Sequence, residues 1–120
     1  MKKYLFLEYP KCSTCRRAKE FLESCGADFE DRHIVESRPD AEELRRWILR
    51  SGVPVKKFFN TSGLRYKALA LKDKLQEMSD EEQIALLATD GMLVKRPLLV
   101  SENSVLVGFK QPEWEAELKK

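Results

Sequence analysis

The chain has 120 residues, 42% of them hydrophobic, with 22 lysines and arginines against 20 aspartates and glutamates. That length holds one domain whose core needs no disulfide staples, and a formal charge of +2 is too small for a general nucleic-acid binder. The longest apolar runs, such as 4–7 and 84–88, fall far short of the ~20 residues of a membrane helix, and the N-terminus lacks a signal peptide's apolar stretch and cleavage site, so the protein is expected to be soluble and cytoplasmic, without a membrane partner.

Residues 3–7 form a nearly continuous apolar run that stops before Pro10 and predicts a buried strand. A helix follows, with Ser13 and Thr14 as candidate caps and an apolar face through Cys15, Ala18, Phe21, Leu22 and Cys25, ended by Gly26. Cys25 is therefore expected in the core. Residues 29–35 give a weaker strand signal. After Pro39, Asp40 and Glu43 make a capping box for a helix whose Leu44, Trp47 and Ile48 share a face up to Gly52. Residues 53–59 and 64–75 are shorter helical candidates on either side of the turn-forming "NTSG", and Ser79 with Glu82 opens another helix that closes at Gly91. Strands at 98–100 and 105–109 flank a hairpin turn, and Pro112 starts a last helix through Trp114 and Leu118. The order predicts a single α/β domain over residues 1–120. It is a thioredoxin-like fold with a mixed sheet of about four strands and a helical insertion, about 40–91, between the βαβ unit and the C-terminal β-hairpin.

The chemistry is concentrated in "YPKCSTCRRAKEFLE". Residues 1–19 hold Lys2, Lys3, Lys11, Arg16, Arg17 and Lys19 against Glu8 alone, whereas 20–43 hold nine acids against Arg32 and Arg38. Between a strand end and a helix start, Cys12 faces unpaired backbone N–H groups and the positive end of the helix dipole, which favours its thiolate. Lys11 and Arg16 add positive charge, so Cys12 is expected to titrate below the ~8.5 of a free thiol and to act as a nucleophile. Cys15, one turn on and on the apolar face, is placed to resolve a mixed disulfide formed at Cys12. A structural zinc site would need four ligands, and only Cys25 and the single His33 remain to complete one. Haem attachment fails because Arg16 stands where histidine is required. Neither metal nor bound cofactor is expected. His33 reads as a solvated edge-strand residue, and Trp47 and Trp114 as core.

Together with "KKFFNTSG", "LKDKL", "DGMLVKRPLLV" and "VGF", this motif resembles the ArsC/Spx family of thioredoxin-fold proteins nearly end to end. It is most similar to the arsenate reductase-like, YffB-type branch. The resemblance implies a cytoplasmic thiol-disulfide oxidoreductase, acting as a monomer on a disulfide or glutathionylated substrate, with reducing equivalents from glutathione, glutaredoxin or thioredoxin. It implies a proline beside the active cysteine, here Pro97. A cis bond before it would turn Arg96 toward Cys12, where the guanidinium can meet an anion. The catalytic expectation is Cys12, Cys15 and Arg96, with substrate contacts from Lys11, Ser13, Thr14, Arg16, Asn60, Pro97 and Lys110.

Arsenate reductases of this family use one cysteine corresponding to Cys12, a histidine four residues before it and three arginines. Here Glu8 replaces the histidine, Asn60 the first arginine and Lys110 the third, and only Arg96 matches. A lysine lacks the guanidinium fork, which weighs against arsenate turnover and leaves glutaredoxin-coupled arsenate reduction as a second alternative. The Spx branch implies an alternative: a redox-sensing regulator that binds the RNA polymerase α subunit without touching nucleic acid itself.

Overall fold

The computed structural model describes residues 3–120. Strand β1 (Lys3–Glu8), helix α1 (Ser13–Ser24) and strand β2 (Asp28–His33) form the opening unit. The insertion then runs through α2 (Ala41–Ser51), a 3₁₀ turn (Val55–Phe58), α3 (Leu64–Ala68), α4 (Leu71–Lys74), a second 3₁₀ turn (Leu75–Glu77), α5 (Asp80–Leu87) and a third (Gly91–Leu93). The hairpin of β3 (Leu98–Val100) and β4 (Val105–Val107) and the helix α6 (Gln111–Leu118) complete the chain. The sheet order is β2-β1-β3-β4, with β2 parallel to β1 and the other pairings antiparallel. The fold is the thioredoxin-like one expected, a mixed four-stranded sheet with helices on both faces.

Strand alternation divides the core in two. Leu7, Leu98, Val100 and Val105 point to one face, where Leu44, Trp47, Phe58, Ile84 and Leu87 of the insertion cover them. Tyr4, Phe6 and Leu99 point to the other, under Ala18 and Leu22 of α1 and Trp114 of α6. This two-sided burial is why residues 3–7 read as an unbroken apolar run rather than an alternating one. Trp47 and Trp114 are core, as expected, and the Trp114 indole N–H donates to the Gly108 carbonyl at 3.0 Å. No helix among the described residues is long and apolar enough to cross a membrane.

Both capping boxes form: the Glu43 N–H donates to Asp40 Oδ1 at 2.8 Å and the Glu82 N–H to Ser79 Oγ at 3.1 Å, each returned by the glutamate side chain. Other boundaries differ from the expectation. The cap of α1 is Cys12 rather than Ser13 or Thr14, with φ −87° and ψ 122°. Residues 53–59 supply only a 3₁₀ turn, since Pro54 holds the backbone extended immediately before it. Residues 64–75 break in two at Ala70, whose φ of +54° no helix accommodates. β4 stops at Val107 because Gly108 turns left-handed, with φ +75°.

Cys25 is not core but exposed. The helical period extended through it, yet α1 ends one residue earlier in a Schellman turn: Ala27 N–H donates to Leu22 O at 3.0 Å and Gly26 N–H to Glu23 O at 3.1 Å. Cys25 is the C-cap of that turn, past the last residue that packs on the sheet, Leu22.

The two ends of the insertion are stitched together. Phe59 bridges Val94 antiparallel, Asn60 N–H donates to Leu93 O at 2.7 Å, and Lys95 N–H to Phe58 O at 2.7 Å. Gly91 begins the last 3₁₀ turn, buried against the end of the opening unit, where a Cβ would overlap the Ile34 carbonyl. Gly91→Ala should therefore destabilise the fold by the order of 2–3 kcal/mol through overpacking against rigid backbone, measured as a lower urea midpoint at unchanged slope.

Candidate functional site

The turn after β1 delivers Cys12 to the start of α1. Its backbone N–H donates to Tyr9 O at 2.9 Å and its carbonyl accepts the first helical bond, from Arg16 N–H, at 3.1 Å. At the end of the insertion, the peptide bond between Arg96 and Pro97 is cis. Pro97 itself is buried, its carbonyl accepting from Gly108 N–H at 2.9 Å, so it lies beneath the site rather than on its surface. The Arg96 guanidinium lies over the Tyr9 ring, 5.0 Å from its centroid, and reaches the Cys12 sulfur. Its Nε and Nη1 are buried without a protein partner among the described residues.

The two thiols differ. Cys12 is half-buried and Cys15 is 0% exposed. Burial alone would push the Cys12 thiol up; hydrogen bonds from the Cys15 N–H and thiol and from Arg96, together with the Arg96 charge, outweigh it and hold Cys12 below its ordinary value. Burial pushes Cys15 up to about 12, reinforced by the neighbouring Cys12 sulfur and opposed by a backbone bond from Tyr9 and the Arg96 charge. The positive group acting on Cys12 is thus Arg96, from the far end of the sequence. Lys11 and Arg16, expected in that role, are exposed, and Arg16 Nη1 donates to Pro10 O at 3.5 Å.

Cys12 opens into a cleft of about 480 Å³, which Thr14, Asn60, Arg96 and Lys110 also line. Lys11, Ser13, Arg16 and Pro97 do not line it, because the first three face outward from the start of α1 and Pro97 is covered. Asn60 is buried and partly committed to its own loop, accepting from Ser62 Oγ at 3.3 Å. Gly63 is required there, since a Cβ would meet the Asn60 amide at 2.8 Å. Tyr9, Lys95 and Leu64 were not singled out from the sequence. Tyr9 and Lys95 adjoin the motif and Arg96, so neighbourhood was the available signal; nothing local marked Leu64. Among the described residues, no three His, Cys, Asp or Glu side chains gather as a metal site.

A model of the ArsC family matches residues 7–117. The chain belongs to the ArsC family. This ArsC-family chain is 52% identical over 110 residues to the uncharacterised Bacillus subtilis protein YusI, covering 92% of the chain and 93% of YusI. It is 26% identical to the global transcriptional regulator Spx of Streptococcus pyogenes, over 97% of the chain and 84% of Spx. Among solved structures, a Bacteroides fragilis protein described as related to the ArsC family matches with a TM-score of 0.94 and 59% identity over 98% of both chains. A possible arsenate reductase of Streptococcus mutans matches with a TM-score of 0.89 and 47% identity over 98% of this chain and 99% of that one.

Glu8, where arsenate reductases of the family have histidine, ends β1 buried. Its carboxyl is pushed up to about 7 by burial, by its hydrogen bond to Asp31 and by the Asp31 charge, with Lys19 opposing. Burial would raise Asp31 too, but the bonds from Glu8 and Lys19 hold it below its ordinary value. The Lys19 ammonium lies 2.8 Å from Asp31 and 3.9 Å from Glu8, so Asp31 carries the charge and Glu8 the proton.

Two outcomes follow from this arrangement. With Cys25 replaced by Ser so that only the pair is counted, limiting alkylating agent should label Cys12 before Cys15, and Arg96→Met should slow Cys12 labelling at about pH 7 severalfold and move its midpoint upward. Mass spectrometry of the labelled peptides checks both. For Glu8, a folded pKa above the ordinary 4.5 stabilises the fold fully below that value and is lost as pH rises through about 7. Glu8→Gln, neutral throughout, should flatten this fall and gain the order of 1–2 kcal/mol on the wild type between about pH 5 and pH 8, read from urea midpoints.

Proposed function

We propose that this chain is a cytoplasmic thiol-disulfide oxidoreductase acting on a disulfide or glutathionylated substrate. The observation that carries the reading is the asymmetry of the pair: a cleft-facing Cys12 favoured as thiolate beside Arg96, and a Cys15 buried and held as thiol directly behind it. The Cys12 thiolate attacks one sulfur of the substrate disulfide, forming a mixed disulfide and expelling the other sulfur. That step removes the negative charge of Cys12, one of the causes that keep Cys15 protonated. Cys15 then attacks the Cys12 sulfur and releases the second substrate sulfur. One substrate sulfur leaves with the Cys15 proton, the other leaves as a thiolate that takes a proton from solvent, and Cys12 and Cys15 are left as a disulfide. Two glutathione thiols, or a glutaredoxin or thioredoxin dithiol, restore the pair. Arg96, with two guanidinium nitrogens unpaired, orients a carboxylate of the substrate, and Thr14, Asn60 and Lys110 line its path.

The relation to Spx supports a second reading: a redox switch that binds the RNA polymerase α subunit, the same pair acting as sensor. A pull-down from lysate with Cys15→Ser separates the two, since an oxidoreductase retains mixed-disulfide clients and a regulator retains the α subunit. Arsenate reduction has less support, because Asn60 and Lys110 stand in place of two arginines, each able to make charge-assisted bonds of about 1.5–3 kcal/mol. With glutathione and glutaredoxin, the purified protein should therefore reduce a small disulfide at least roughly a hundredfold faster than arsenate, and Cys12→Ser should abolish the reaction. Arsenate turnover matching the disulfide rate would overturn this reading.

A further inference from the structure

The Cys12 cleft does not end at the active site. It shares Lys95, Val107 and Lys110 with a second cleft of about 490 Å³. The second cleft is lined by Val105, Leu106 and Val107 of β4, the edge strand of the sheet, and by Lys56 and Lys57. The two lysines are set there by the 3₁₀ turn Val55–Phe58, whose apolar Val55 and Phe58 are buried while both lysines stay exposed.

Charge in this continuous groove is one-sided. Its lining holds Lys56, Lys57, Arg65, Lys95, Arg96 and Lys110 against a single acid, Glu113, in a chain whose net charge is only +2. Arg65 is paired with Asp90 at 3.0 Å, and Lys110 with Glu113 only at 3.9 Å. Lys56, Lys57 and Lys95 make no ion pair among the described residues. The Lys95 stem lies across Gly108, where a Cβ would meet its Cε at 3.2 Å, so its ammonium is held along the groove. The groove is also apolar at both ends. Of three large hydrophobic residues exposed among the described residues, Leu64 at 85% lines the Cys12 cleft and Val53 at 36% lines the second.

Like charges gathered without counter-charges repel one another, and an anionic partner relieves that repulsion. A free sheet edge between apolar anchors suits an extended polypeptide, whose backbone pairs along the strand while its side chains meet the walls. We propose that the groove docks an acidic, extended segment of a partner protein, its carboxylates against Lys56, Lys57 and Lys95 and its apolar side chains against Val53 and Leu64. That this segment flanks the cysteine delivered to Cys12 rests on the oxidoreductase reading. The docking itself rests on charge and shape alone.

The test uses the full chain with both Cys12→Ser and Cys15→Ser, so that no redox step contributes, and fluorescein-labelled peptides of one length in which leucines alternate either with glutamates or with lysines. Fluorescence anisotropy should show the acidic peptide binding roughly tenfold or more tightly than the basic one, weakening between about 50 and 300 mM salt. Adding Lys56→Glu and Lys57→Glu, exposed positions whose folding is verified by the urea midpoint, should remove that preference. Equal binding of the two peptides would overturn the proposal, as would a preference that survives the charge reversal. So would a single-stranded oligonucleotide of equal charge displacing the acidic peptide at lower concentration than the unlabelled peptide does. Because the readout lacks both sulfurs, an inactive wild type in the disulfide assay would sink the oxidoreductase reading and leave this measurement standing.

Discussion

The candidate site turns on one constraint, the holding of the half-buried Cys12 sulfur as thiolate by bonds from Cys15 in the first turn of α1, to which Arg96 adds. A thiol at this depth would ordinarily stay protonated, because burial disfavours its charged form. Bonds from the Cys15 N–H and thiol offset that burial first, Arg96 adds a further bond and its positive charge, and the Tyr9 ring stacks on the guanidinium at 5.0 Å. The same charge acts on Cys15, but there burial wins, so two sulfurs of one helical turn are pushed in opposite directions.

The backbone that delivers Arg96 lies far from Cys12 in sequence. The antiparallel stitch of Phe58, Phe59 and Asn60 to Leu93, Val94 and Lys95 closes the insertion on itself, so the chain enters Arg96 and Pro97 from a fixed direction. β3 then pairs with β1, which places the end of the insertion beside the turn that carries Cys12. Gly91 and Gly63 serve this arrangement by leaving room, one for the Ile34 carbonyl and the other for the Asn60 amide. The insertion, which covers one face of the sheet, thereby also builds one wall of the cleft.

Charge is sorted across the molecule rather than balanced locally. At the β1–β2 side, Glu8, Asp31 and Lys19 form a compact cluster in which proximity of two carboxyls keeps a proton on one of them. At the β4 side, lysines stand along the groove with few acids near. A chain with nearly equal numbers of acids and bases therefore presents a cationic face beside its reactive thiol, which the net charge does not reveal.

Much of the fold was legible because it rests on local rules. The βαβ opening, both capping boxes, the hairpin and the cores around Trp47 and Trp114 follow from periodicity, cap chemistry and turn residues close in sequence. Cys12 and Cys15 at a strand-to-helix junction likewise carried their unequal burial on their spacing. Errors arose where a local pattern ran past its end. Cys25 kept the helical period, but Gly26 had already turned the chain away, and residues 64–75 kept it across an Ala70 that is left-handed in the fold. Lys11 and Arg16 adjoin Cys12 in sequence but stand exposed, and the charge acting on Cys12 is that of Arg96, because nearness in sequence is not nearness in space. A helix start projects its flanking side chains outward, whereas the cation that adds to the Cys15 bonds on Cys12 lies inside the cleft. Only the pairing of β3 with β1 and the closure of the insertion could bring one there. The sequence by itself determined that two sulfurs share one helix start, because that spacing is local; the tertiary structure decided which cation reaches them, because Arg96 comes from the other end of the chain.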